Sequence, residues 1–121
     1  NLLTNAIDAL RHKPQPRQIR LETGATAELA CLKVVDNGPG IPDTMLSKLF
    51  TPFSTTKPHG MGLGLTICQS IIESHQGHIS GRNQPEGGGS FRITLPLQNA
   101  QPSSAALCEK EPLSHDANAQ L

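Results

Sequence analysis

The 121-residue chain contains no tryptophan and no tyrosine, and three phenylalanines bring its aromatic content to only 2%. A core built on large aromatic anchors is excluded, so packing must come from aliphatic side chains. Net charge is missing too: 10 basic and 10 acidic side chains cancel, and no basic block occurs. The composition therefore offers no electrostatic reason to expect nucleic acid or an anionic membrane surface as partner. No apolar run approaches the roughly 18 residues of a membrane span.

Cysteine is scarce. Cys31, Cys68 and Cys108 lie far apart and form no C-x-x-C, so zinc-ligand spacing is lacking. An odd count without a signal peptide fits a reducing cytoplasm, with Cys31 and Cys68 acting as small buried apolar residues. Hydrophobic residues make up 36%, low for a globular chain, so part of it is expected to contribute nothing to a core. The length suits one domain. The chain opens at Asn1 in mid-helix pattern and reads as a fragment, whose parent could carry a membrane anchor elsewhere.

Apolar periodicity predicts a helix over 1–12, with Leu2, Leu3, Ala6, Ile7 and Leu10 on one stripe. Pro14 and Pro16 end it. Strands are expected at Arg17–Thr23 and Glu28–Asp36, joined by a loop at Gly24–Ala27. Pro42 and Asp43 open a short helix to about Leu49. Residues 51–62 have no period and read as a loop. A long helix runs from Leu63 to His75, with Leu63, Ile67 and Ile71 on its stripe, Cys68 and Ile72 beside it, and Gly77 as the stop signal. Strands at His78–Arg82 and Ser90–Leu97 flank the turn Gly87-Gly88-Gly89. From Gln98 the chain lacks apolar surface to offset ordering entropy, and 98–121 is expected to be a disordered tail. The fold class is α/β, a two-layer sandwich with a mixed sheet and helices on one face.

Four segments carry chemistry. Asn1 and Asn5, at i and i+4, project from one helix face; alone they suit a polar solvent face, but a carboxamide oxygen can also ligate Mg²⁺ shared with phosphate. Asp36-Asn37-Gly38-Pro39-Gly40 ends an apolar strand. A carboxylate there can accept from an exocyclic amine while glycines admit a flat ligand, or the segment is an ordinary acidic turn. In Phe50-Thr51-Pro52-Phe53-Ser54-Thr55-Thr56-Lys57 the aromatics are expected to pack as hinges of a mobile loop, and Lys57 can reach a phosphate. Gly60-Met61-Gly62-Leu63-Gly64-Leu65 leads into the long helix, whose N-terminal N–H groups favour an anion. The order of elements does not fit a Rossmann fingerprint, and the absence of Gly-Lys-Ser/Thr excludes a P-loop.

In this order and spacing, the segments resemble the N, G1, F and G2 boxes of the histidine kinase catalytic domain, from the ATPase superfamily shared with gyrase, Hsp90 and MutL. The resemblance runs from Asn1 to about Leu97. It implies a Bergerat-type fold over 1–97 that binds ATP and Mg²⁺. By matching position it makes Asn5 the metal ligand and Asn1 its companion near the phosphates. Asp36 becomes the reader of the adenine amino group, with Gly38 and Gly40 shaping that pocket. Lys57 falls in a short lid like that of nitrogen-regulation and dicarboxylate-sensing kinases. Gly60, Gly62 and Gly64, with Leu63 and Leu65, belong to the phosphate side. The family usually continues Gly-x-Gly-Thr/Ser-x-Phe, but here Gly89 occupies the hydroxyl position. None of His12, His59, His75, His78 or His115 lies in the acceptor context.

The resemblance further implies a cytoplasmic protein-histidine kinase that moves the γ-phosphoryl of ATP to a histidine on its own dimerisation domain. That domain is absent here; the parent would be a homodimer, and a response regulator would take the phosphoryl group. Two alternatives stand beside this reading. One is another ATPase of the superfamily. The other is a nucleotide-binding or interaction module that transfers nothing.

Overall fold

The computed structural model describes residues 1–53 and 64–97 and the backbone of 115–120. The first helix, α1 (Leu2–Leu10), is capped by Asn1 and buries Leu2, Ala6 and Leu10. These lie at i, i+4 and i+8, a narrow seam with the small Ala6 between two leucines. Leu3 and Ile7, expected on the same stripe, are 48% and 49% exposed.

Strands β1 (Gln18–Ala25) and β2 (Leu29–Asp36) pair as a hairpin from Ile19↔Asp36 to Ala25↔Ala30. Its turn is closed by Thr26, whose Oγ1 accepts from the N–H groups of Glu28 at 3.2 Å and Leu29 at 3.0 Å. That hydroxyl supplies the local partner that lets the turn be tight, so Gly24 and Ala25 remain in the strand. After the short α2 (Asp43–Leu46), α3 (Gly64–Ser74) leads to β3 (His78–Asn83) and β4 (Gly89–Pro96).

The last strand, β5 (His115–Gln120), adds to the free edge of β1. It lies in the stretch that composition marks as a disordered tail. The edge of β1 offers backbone N–H and C=O groups to any extended segment, whatever its side chains. The sheet order is β3-β4-β2-β1-β5. All four described pairings are antiparallel, where a mixed sheet was expected. The tight turns of the β1–β2 and β3–β4 hairpins permit only antiparallel pairing there.

Both long helices cover one face. Leu2, Ala6 and Leu10 pack with Ile19, Val34 and Ile79, and Leu21, Phe50, Leu65, Cys68, Ile72, Phe91 and Ile93 join from the periphery. Along α3 the inward row is therefore Leu65, Cys68 and Ile72, while Ile67 and Ile71 are 50% and 52% exposed. Docking to the sheet turns inward Cys68 and Ile72, which flank the expected stripe, together with Leu65, and leaves Ile67 and Ile71 half exposed. Burying Leu10, 1% exposed, is worth about 2–3 kcal/mol.

The end of α3 is a Schellman turn. Gly77 N–H donates to Ile72 O at 2.9 Å and Gln76 N–H to Glu73 O at 2.9 Å. The left-handed residue is Gln76, with φ of 61°, and not the glycine. Gly77 is required because a Cβ there would run into the backbone oxygen of Thr94 on β4. On the outer sheet face, Lys33 Nζ lies 3.4 Å from Glu22 Oε2, and Arg20 Nε donates to Glu22 Oε1 at 2.6 Å. Cys31 packs with Leu29 in a second small cluster and is disulfide-bonded, contrary to the reduced state expected for it; Cys68 is free.

Candidate nucleotide site

Asp36 is the last residue of β2 and is buried, 8% exposed. A buried carboxylate needs donors, and two backbone groups supply them. Gly38 N–H donates to Oδ1 at 2.9 Å, and Gly89 N–H reaches the same oxygen at 3.4 Å. Both converge on Oδ1, so among the described residues none donates to Oδ2. The carboxylate is thus oriented by the protein through one oxygen and presents the other as an acceptor.

Three glycines enclose it, each for a different reason. A Cβ on Gly38 would come within 2.9 Å of Asp36 Oδ1 and 3.1 Å of Ala9 O, so the loop lies directly on the C-terminal part of α1. Gly40 has φ of +84°, and its Cβ would meet Asn83 Oδ1 at 2.9 Å. Gly88 has φ of +90°, and a Cβ there would overlap the backbone oxygen of Asp36. Gly89 differs. A Cβ on it would find ordinary contacts at 3.4 Å from Asp36 Oδ2 and 3.5 Å from Ile41 Cγ1, so the missing hydroxyl leaves room that a side chain could fill.

Two carboxamides brace the loop. Asn37 Oδ1 accepts from Gln18 N–H at 2.9 Å, and its Nδ2 donates to Pro16 O at 3.1 Å. At the far end, Ile41 N–H donates to Asn83 Oδ1 at 2.6 Å and Asn83 Nδ2 donates to Ile41 O at 2.7 Å.

At the other end of α1, Asn1 Nδ2 donates to Gly64 O at 3.3 Å, joining the starts of α1 and α3. Asn5, half-buried, sits one turn along, its N–H donating to Asn1 O at 2.9 Å. A Cβ on Gly64 would meet nothing within 4 Å among the described residues. Leu65 turns inward and packs against the core. From Asn1 to Ala9 the helix rises about 12 Å, at roughly 1.5 Å per residue.

Of the residues singled out in the sequence, the structure brings Asp36, Gly38 and Gly40 together at one end of α1 and Asn1, Asn5 and Gly64 along and at the other. Lys57, Gly60, Gly62 and Leu63 lie outside the described residues. Phe50 packs on the core, but Phe53 is 72% exposed with φ of 65°, so it does not pack as expected. Ile41, Asn83 and Gly88 were missed. The triple glycine was a visible signal for Gly88. Nothing local marks Asn83, whose partner lies 42 residues away.

A helix and glycine turns enclose a buried strand-end aspartate on one face of an antiparallel sheet, in an α/β sandwich. The model of the histidine kinase-, DNA gyrase B-, and HSP90-like ATPases matches residues 1–99, and the chain belongs to that family. It is 40% identical over 100 residues to the C4-dicarboxylate transport sensor protein DctS of Rhodobacter capsulatus, covering 80% of this chain and 15% of that protein. It is 42% identical over 97 residues to the sensor protein kinase PilS of Pseudomonas aeruginosa, covering 78% and 18%. The chain thus spans less than a fifth of these curated relatives. Among solved structures, the catalytic domain of histidine kinase ThkA superposes with a TM-score of 0.67 at 35% identity, over 78% of this chain and 61% of that one. ThkA in complex with the response regulator protein TrrA matches with a TM-score of 0.64 at 32% identity, covering 81% and 27%.

Proposed function

We propose that residues 1–97 are the ATP-binding catalytic domain of a sensor histidine kinase, acting on a histidine supplied by another domain. The observation that carries the reading is Asp36, with Oδ1 held by backbone N–H groups and Oδ2 left for a ligand donor. An adenine amino group is such a donor, and Ile41 beside Oδ2 offers the apolar contact that a purine face requires. With the base at the Asp36 end, the nucleotide lies along α1 and its phosphates reach Asn1, Asn5 and the N-terminus of α3. The helix dipole and the N–H groups of that first turn favour anionic oxygens.

Mg²⁺ fits the donor set at this end, where the Asn5 carboxamide is a hard neutral ligand and phosphate oxygens complete the shell. When bound, the ion neutralises phosphate charge. The protein's own part is positioning: Asp36 selects the base, α1 sets the distance to the phosphates, and Asn1 holds α3 in register with α1. Lys57 and Gly60, Gly62, Leu63 and Gly64 extend the phosphate side in this reading, with Leu65 anchoring the start of α3. Phosphoryl transfer depends mainly on such placement and on charge compensation. The acceptor histidine would come from a dimerisation domain of the parent homodimer, and the phosphoryl group would pass to a response regulator. The names of DctS, PilS and ThkA support this assignment, as does the solved ThkA–TrrA complex. A cytoplasmic location fits the same reading; no helix among the described residues is long and apolar enough to cross a membrane.

Titration with a fluorescent ATP analogue, with and without Mg²⁺, tests the assignment. Asp36→Asn should weaken ATP binding strongly, and Asn5→Ala should remove its Mg²⁺ dependence. Folded variants that bind like the parent would refute the site.

A further inference from the structure

We infer that Asn83, at the end of β3, is a positioning residue for base selection, acting on the adenine side of the pocket through Ile41. The inference rests on the reading of Asp36 as the adenine-selecting carboxylate.

The Asn83 carboxamide treats Ile41 as a neighbouring strand would. Its Oδ1 takes the Ile41 N–H at 2.6 Å and its Nδ2 serves the Ile41 carbonyl at 2.7 Å. A carboxamide carries an acceptor and a donor on one carbon, so the pair also fixes the orientation of the amide. Both polar groups of one loop residue are satisfied by one side chain, 42 positions away in sequence.

Ile41 matters because of where it lies. Its Cγ1 and the Asp36 Oδ2 atom flank the same point beside Gly89, at 3.5 Å and 3.4 Å from a Cβ built there. Asp36 Oδ2 and the Ile41 side chain therefore both line the space in front of Gly89. Displacing Ile41 changes what stands next to Oδ2. Gly40 is part of the same arrangement: its φ of +84° turns the chain, and the missing Cβ leaves the gap, 2.9 Å from Asn83 Oδ1, through which the carboxamide reaches the backbone. Asn37 holds the start of the loop to β1, and Asn83 holds its end to β3. With Asn83 removed, the Asp36 end remains braced, and the Ile41 end loses both of its side-chain hydrogen bonds.

The reader distinguishes bases by sign. Adenine presents an amino donor where guanine presents a carbonyl acceptor. A fixed carboxylate acceptor favours the first and repels the second, and a loosened wall lets the base shift and weakens that contrast.

The test measures dissociation constants of ATP and GTP by competition against a fluorescent ATP analogue. It uses the parent chain, Asn83→Ala, Asn83→Asp and Asp36→Asn, with the unliganded melting midpoint of each. Asn83→Asp keeps the shape and the acceptor for Ile41 N–H but cannot donate to Ile41 O, and it carries the test if the alanine variant does not fold. The expected result is that both Asn83 variants lose ATP-over-GTP preference, the alanine by about tenfold, equivalent to roughly one net hydrogen bond. A purely structural role would lower both affinities together and leave the ratio intact, which overturns the inference. If Asp36→Asn loses the preference and the Asn83 variants keep it, the inference fails while the site assignment stands. If Asp36→Asn retains the parent's preference, the site assignment fails and the inference with it.

Discussion

Gly87 and Gly88 form a natural control pair. Both have positive φ, +101° and +90°, in one turn, yet a Cβ on Gly87 meets nothing within 4 Å while one on Gly88 overlaps the Asp36 carbonyl oxygen. Gly87→Ala should therefore cost only the backbone strain of an L-residue in that region, about 1–3 kcal/mol. Gly88→Ala carries the same strain and must also push the turn away from the end of β2, a further overpacking cost of about 1–3 kcal/mol. That extra term is a sizeable share of the roughly 5–15 kcal/mol that holds a domain together. In urea it should separate the two midpoints by about 1 M, for a denaturant slope near 2 kcal/mol per M. Nucleotide titration adds a second reading. Gly88→Ala moves the backbone of Asp36 and the Gly89 N–H that reaches its carboxylate, so affinity should fall; Gly87→Ala should bind as the parent does once folded. Equal midpoints and equal affinities for the two variants would refute the claim that close approach to Asp36, and not turn conformation alone, demands Gly88.

Gly89→Ser should be accommodated within about 1 kcal/mol and tighten the ATP analogue several-fold, by adding a hydroxyl donor beside Asp36 Oδ2; weaker binding in a folded variant would contradict this. Gln76→Gly should raise stability by up to about 1 kcal/mol by relieving a left-handed residue. Gly77→Ala should lower it by about 1–3 kcal/mol through its clash with β4, and chemical denaturation reads both signs. On the outer face, Glu22→Ala leaves the buried Lys33 ammonium beside Arg20 without its carboxylate and should cost about 3 kcal/mol. Lys33→Met should be close to neutral, and the reverse ranking in thermal melts would show the pair to be placed differently.

Much of the molecule was legible locally. Prolines, glycines and alternation located the three helices and four strands to within a few residues, because those signals act over one or two turns of chain. The Asp36 turn and the Asn1/Asn5 pair could be singled out for the same reason: strand-end aspartate with glycines, and i, i+4 amides, are short-range patterns. The resemblance to histidine kinase catalytic domains rested on four such patterns in order, and the family comparison agrees with it.

The failures share a cause. On α3 the apolar rows Leu63–Ile67–Ile71 and Leu65–Cys68–Ile72 are both plausible inward faces, and only the sheet beneath chooses between them. Phe53 and Phe50 look alike in sequence, yet one is exposed and the other packs on the core. The stop of α3 reads as a glycine signal, but Gln76 takes the left-handed turn because Gly77 is needed for contact with Thr94. The strand at 115–120 arises from an open sheet edge, a property of β1 and not of the tail's composition.

By itself the sequence determined the elements, their order and the chemical groups available to a nucleotide, since propensity, capping and motif spacing are written in neighbouring residues. Tertiary structure alone decided which Asp36 carboxylate oxygen the backbone holds, which helix faces are buried, and that Asn83 braces Ile41 and Gly88 lies against Asp36. Those outcomes depend on contacts between residues tens of positions apart, whose energies exist only once the sheet has brought β2, β3 and β4 together.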